Sequence, residues 1–126
     1  MKKTIEEIAR ENGRYDVGAL RFVYEGLGAT IQKIREEQGP ESEPKHITGE
    51  QLCLGLAQLA VGKWGRLAKM VFDQWRVRTT RDLGEIVYLM IGHKWMSAQE
   101  ADRVEDFDDV FDFEQLFEKD FNFNSK

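Results

Sequence analysis

Val17, Leu20, Tyr24, Leu27, Ile31 and Ile34 alternate steps of three and four. That spacing places all six apolar side chains on one face of an α-helix. Asp16 stands where an N-cap would, and the stripe runs to about Glu37. There Gln38-Gly39-Pro40-Glu41-Ser42-Glu43-Pro44 breaks the pattern and forms the one long loop candidate. A helix of about twenty residues extends about 30 Å, so the rest of the chain has to supply elements that cover its stripe. Gly26 and Gly28 lie inside it. Each costs about 1 kcal/mol against Ala in a helix interior, and together they predict close approach of a neighbouring backbone.

The same period recurs on both sides. Thr4 and Glu7 have capping-box spacing, with Ile5, Ile8 and Ala9 on one face, and Asn12-Gly13 stops the segment. Thr48 and Gln51 repeat the box ahead of Leu52, Leu56, Leu59 and Ala60. Gly62 and Gly65 mark a break. A fourth short helix is expected over Leu67, Val71 and Trp75, flanked by Ala68 and Phe72. A fifth starts at Thr79 or Thr80 and carries Leu83, Ile86, Val87 and Met90. After Gly92 the period is lost. Val110-Phe111-Asp112-Phe113 alternates partly like a strand, yet Val110, Phe113, Phe117 and Phe121 also fit one helical face. Residues 96–113 therefore read equally as a hairpin or as helix.

At 126 residues the chain is expected to form a single domain over 1–126, long enough to bury a core without staples. Its lone cysteine, Cys53, closes no intramolecular disulfide and suits a reducing compartment. No apolar h-region follows Met1-Lys2-Lys3, and no apolar run approaches the length of a membrane span. The expectation is a cytoplasmic protein with no membrane association.

Charge is divided unevenly. Residues 100–126 hold ten carboxylates against three cations, a local charge of −7 within a net −5, and six of the eight phenylalanines. Acid alone reads as a solvated tail. Acid interleaved with aromatics reads as a segment that docks. Phe107, Phe111, Phe113 and Phe117 are the candidate interaction residues. Their target is either this domain's own core, with the acids as its wet face, or a partner protein. Rings at regular spacing usually bury in their own domain, so packing of 100–126 on the body is the expectation.

Several blocks also carry a family resemblance. They are His46-Ile47-Thr48-Gly49-Glu50-Gln51-Leu52, Gly55-Leu56, Trp64-Gly65 with Leu67-Ala68, Trp75, Thr79 through Tyr88, and Glu105 through Phe113. As a set they resemble an uncharacterised bacterial family of planctomycete and verrucomicrobial type, over about Tyr15 to Phe117. The chain departs from that pattern at Arg76, where a small turn residue is expected, and at Leu83, where Phe is common. The resemblance implies a stable domain that includes the Phe-rich stretch. It carries over no activity, ligand or catalytic residue.

Residues 63–94 are basic, with seven cations against Asp73, Asp82 and Glu85, a local +4. A helix, a turn and a second helix in this order echo a helix-turn-helix, and a hairpin after it would be a wing. On that alternative Arg76, Arg78, Arg81 and Lys94 contact nucleic acid. The bland reading is a solvated face on a helical bundle, and the acidic C-terminus would repel phosphates. His46, His93 and Cys53 have no ligand spacing. Asp106, Asp108, Asp109 and Asp112 lack the turn Gly and the terminal Glu of a calcium loop. Gly26-Leu27-Gly28 and Gly62-Lys63-Trp64-Gly65 lack phosphate-loop spacing. Cys53 between two leucines reads as a small buried residue, and Glu50 with Glu85 is a carboxylate pair any helical domain could offer. Trp64, Trp75 and Trp95 read as packing residues whose indole N–H groups reach backbone carbonyls. No metal, cofactor or catalytic set is assigned.

The sequence thus predicts a mainly α fold, a compact bundle of about five helices with a small C-terminal β-hairpin as the winged-helix-like variant. Its expected function is a non-catalytic protein–protein interaction or regulatory module, as monomer or homodimer, with a nucleic-acid-binding protein using residues 63–94 as the alternative.

Overall fold

The long amphipathic stripe forms α2, Val17–Gln38, and the other elements assemble around it. The computed structural model describes residues 2–39, 47–97 and 103–119. Among them are five α-helices: α1 (Ile5–Asn12), α2, α3 (Gly49–Trp64), α4 (Ala68–Gln74) and α5 (Thr80–Gly92). A 3-10 turn at Gly65–Leu67 joins α3 to α4. Another at Val104–Phe107 and a π turn at Gln115–Lys119 follow α5. No helix among the described residues is long and apolar enough to cross a membrane.

The ends of these helices are written in the sequence. Thr4 and Glu7, Thr48 and Gln51, and Thr79 and Asp82 each close a reciprocal capping box, which satisfies N–H groups that a helix start leaves orphaned. The Asp16 carboxylate accepts from the Gly18 N–H at 2.8 Å. Gly13 ends α1 with φ 72°, a left-handed conformation that glycine adopts without steric cost. Arg76, where the family resemblance implies a small turn residue, also turns left-handed, at φ 65°. Its Nε donates to the Arg14 carbonyl at 2.7 Å and ties the α4–α5 turn to the α1–α2 turn.

Packing explains one of the two glycines inside the α2 stripe, Gly26 and Gly28. A Cβ on Gly26 would lie 2.1 Å from Leu56 Cδ2, so α3 sits where a side chain would. Gly55 of α3 makes room for Thr30 in the same way. These pairs run in opposite directions along the two helices, so α2 and α3 are antiparallel and the start of α3 lies beside the end of α2. Gly28, by contrast, faces open space. The fourth helix is rotated from its expected face: Ala68 and Phe72 are buried, whereas Leu67 is exposed.

The core gathers Leu20, Phe22 and Val23 of α2, Leu52, Cys53 and Leu56 of α3, Phe72 of α4, and Leu83, Ile86 and Met90 of α5. Phe72 is its aromatic hub, with ring centroids of Phe22, Trp75, Phe113 and Phe117 within 6.1 Å. The region read as hairpin or helix contains no strand among its described residues; 98–102 lie outside them. In place of a wing, Val104–Phe107 coils into a 3-10 turn capped by the Asp106 side chain on the Arg103 N–H, at 3.2 Å. The physical reason is visible in the contacts. Phe107 and Phe113 are both buried in the one core, and between them the Phe107 carbonyl and the Val110 N–H are bonded to the Thr80 hydroxyl and not to a facing strand.

Candidate functional site

Of the candidate interaction rings, Phe107, Phe113 and Phe117 are buried and Phe111 is half-buried against them. Phe107 lies over Gly84 on α5, and its carbonyl accepts from Thr80 Oγ1 at 2.6 Å. Phe113 and Phe117 close on Phe72, and Phe111 stacks on Phe113 at 5.4 Å. Their docking surface is this chain itself, and of the four only Phe111 keeps a partly exposed face. Phe121 and Phe123 lie outside the described residues.

The nucleic-acid candidates do not form one surface of free cations. Arg81 is held between Glu85 at 3.0 Å and Asp108 at 3.0 Å. Those bonds push its pKa upward, Asp108 contributing most. Arg76 is spent on the Arg14 carbonyl. Arg78 and Lys94 are exposed, at opposite ends of α5. From Thr80 to Ile91 no residue of α5 is fully exposed, so the helix that would enter a groove of DNA presents little free surface between its ends.

Groups with chemical potential elsewhere are accounted for by structure. Asp82, buried at the start of α5, accepts from Tyr15 Oη at 2.6 Å, Arg14 Nη2 at 3.2 Å, and the N–H groups of Arg78 and Thr79 at 2.9 and 3.2 Å. Burial and this carboxylate raise the Tyr15 pKa well above the usual phenol range. Cys53 is fully enclosed, and desolvation pushes its thiol up to about 12. Such a group is inert as a nucleophile near neutral pH. Glu50 is exposed on the first turn of α3, and Glu85 is engaged with Arg81. His93 ends α5, and His46 lies outside the described residues.

The site the sequence reading missed is a groove of about 680 Å³ between α2 and α5. One wall is the outer half of the α2 stripe: Tyr24, Leu27, Gly28 and Ile31. The other is Val87, Tyr88, Ile91 and Trp95, and Leu52 lies at the base. The Trp95 ring meets Tyr24 edge to face at 5.5 Å, and its indole N–H donates to the Lys3 carbonyl at 2.8 Å. Lys2 Nζ lies 4.1 Å from the Trp95 ring centroid. At the other end stand Arg35, late in α2, and Arg103, which opens the 3-10 turn packed on Gly49. Tyr24 and Ile31 remain 42 % and 38 % exposed. A sequence signal for this groove existed. The α2 stripe is longer than the core it feeds, and Gly28 sits in its outer half with no neighbour to accommodate.

No family model, curated protein or solved structure matches this chain.

Proposed function

We propose that this chain is a non-catalytic binding module that receives an apolar segment of a partner protein in the groove between α2 and α5. The observation that carries this reading is the exposure of Tyr24 and Ile31 within an otherwise continuous hydrophobic stripe. A contiguous apolar trough rimmed by polar residues marks an interaction surface. Its volume would suit a small ligand as well, but a small-molecule pocket encloses most of its occupant, and this trough leaves one side open along α2. Interhelical grooves of this kind take amphipathic helices through anchors at positions three and four apart. Among its described residues the lining also lacks a nucleophile paired with a base, which supports binding over catalysis.

The nucleic-acid alternative is weakened by the small exposed surface of α5 and by the pairing of Arg81 with two carboxylates. It still makes a sharp prediction. Anisotropy with random duplex at low salt would show binding that falls steeply as salt rises; absence of binding removes it.

The direct test of the groove is site-specific photo-crosslinking in the native cell. A benzophenone side chain at position 31 is expected to give a discrete protein adduct. The same group at position 74, on exposed Gln74 at the end of α4, is expected to give none. Equal labelling from both positions, or none from position 31, would refute the proposal.

A further inference from the structure

We infer that the segment bound in this groove is acidic at the end that meets Arg35 and Arg103, an inference that rests on the groove being the binding surface. The chain as a whole carries −5, so a partner selected only by overall charge would be basic. The described charged lining of the groove does not share that excess: two cations balance two acids. Its charged lining residues are Glu25, Arg35, Arg103 and Asp106, and they are not evenly placed. Glu25 and Arg35 are ten residues apart on α2, a separation of about 15 Å along the helix.

Arg35 and Arg103 flank the start of α3, because α2 and α3 run antiparallel and the 3-10 turn that Arg103 opens rests on Gly49. Neither guanidinium has an ion-pair partner among the described residues. Asp106 is the one acid of the described lining at that end, and its carboxylate is committed to the Arg103 backbone N–H at 3.2 Å. The distal end holds Glu25 together with Lys2 over Trp95, one group of each sign. The middle is apolar. The groove therefore presents a hydrophobic trough with two guanidiniums and one hydrogen-bonded carboxylate at one end, a local excess of one positive charge among the described lining residues. Its complement is a helix with apolar anchors on one face and an Asp or Glu at one end, the carboxylate reaching the guanidinium forks as a charge-assisted, bidentate pair. Charges at a rim set orientation and encounter rate more than affinity, so this pair fixes which way the partner lies.

The test uses the full chain as bait for a library of helices displayed on a rigid three-helix scaffold, each with about ten randomised outward positions, the number that spans about 15 Å. Selection is run on the wild type, on Arg35→Glu/Arg103→Glu and on Ile31→Asp. All three sites are exposed, and thermal melts establish that each variant is folded. The expected result is enrichment on the wild type of helices with apolar anchors and Asp or Glu at one fixed end. The double reversal is expected to enrich Lys or Arg at that same end and to bind the wild-type winners at least about tenfold more weakly. Ile31→Asp is expected to enrich none of them. Helices that depend on Ile31 but show no charge preference would overturn the acidic partner while leaving the groove as a binding site. Failure to enrich any helix that depends on Ile31 would overturn both. A concentration-dependent dimer abolished by Ile31→Asp would assign the groove to a second copy of this chain and overturn the acidic partner as well.

Discussion

Gly84 and Phe107 share one volume: a Cβ added to Gly84 would lie 2.6 Å from Phe107 Cβ. The absence of a side chain on α5 is what lets the segment after it lie flat on the helix. Gly84→Ala is expected to push Phe107 out of its seat and to destabilise the fold by about 1–3 kcal/mol, the usual cost of overpacking. Phe107→Ala alone is expected to cost about 3–5 kcal/mol. The two changes act on one contact, so their effects should not add. In a double-mutant cycle by urea denaturation, Gly84→Ala should cost less when residue 107 is already Ala, because the conflicts with Phe107 Cγ at 2.6 Å and Cδ1 at 2.8 Å are then gone and the one with Cβ alone remains. Additive losses would mean that Phe107 does not occupy that notch.

Thr80 holds the same segment by its hydroxyl. Oγ1 donates to the Phe107 carbonyl at 2.6 Å and accepts from the Val110 N–H at 3.1 Å, and the residue is 1 % exposed. Thr80→Val keeps the shape and removes both bonds, leaving a carbonyl and an N–H without that partner. An unsatisfied buried polar group costs about 1–3 kcal/mol, so the variant should lose about 2–4 kcal/mol. Hydrogen exchange should locate the loss: the Val110 amide should exchange faster, while amides inside α3 keep their relative protection. Thr80→Ser, which retains the hydroxyl, should recover most of the stability.

Removal of residues 105–126 takes Phe107, Phe113 and Phe117 from the core together. Each ring is worth about 3–5 kcal/mol by truncation, against a typical total stability of about 5–15 kcal/mol. The shortened chain is expected to lose its near-UV circular dichroism and its cooperative melt. An unchanged melting temperature would show that these rings are not structural.

How much of this was legible in advance differs by element, for physical reasons. Helix starts were readable because each depends on two residues at fixed spacing, as Thr4 with Glu7 and Thr48 with Gln51 show. The capping box of α5 uses Asp82, whose carboxylate also serves Tyr15 and Arg14 from a distant turn. A long-range node of that kind has no signature in local spacing. The stretch after Gly92 was ambiguous because its rings are placed by Phe72 and Gly84 rather than by any period of their own. The groove was hidden for the opposite reason. Tyr24 and Ile31 continue the α2 period without interruption, and periodicity reports which residues share a face, not where the neighbouring helix ends. The basic segment shows what a charge count leaves out, which is pairing with residues beyond the segment, such as Asp108. Arg81 contributed to the local excess in sequence but is neutralised by Glu85 and Asp108 in the fold.

Cys53 gives the fold a defined response to alkali. Its side chain is 0 % exposed, and desolvation pushes the thiol up to about 12, against about 8.5 in an unfolded chain. The folded state thus keeps its proton after the unfolded state has released it. Above the unfolded pKa the native form binds more protons, so stability falls with rising pH, by about 1.4 kcal/mol per unit from this one group. The contribution is fully present below about pH 8.5 and is lost progressively as pH rises toward 12. Between pH 8 and 10 the wild type should lose about 1–2 kcal/mol more than Cys53→Ala, whose own cavity cost is independent of pH. Urea denaturation of both proteins across that range measures the difference. Below pH 8 the thiol should react with a disulfide reagent only at the rate of unfolding. Parallel stability curves, or rapid labelling of the native protein, would place Cys53 at the surface instead of between α3 and the core.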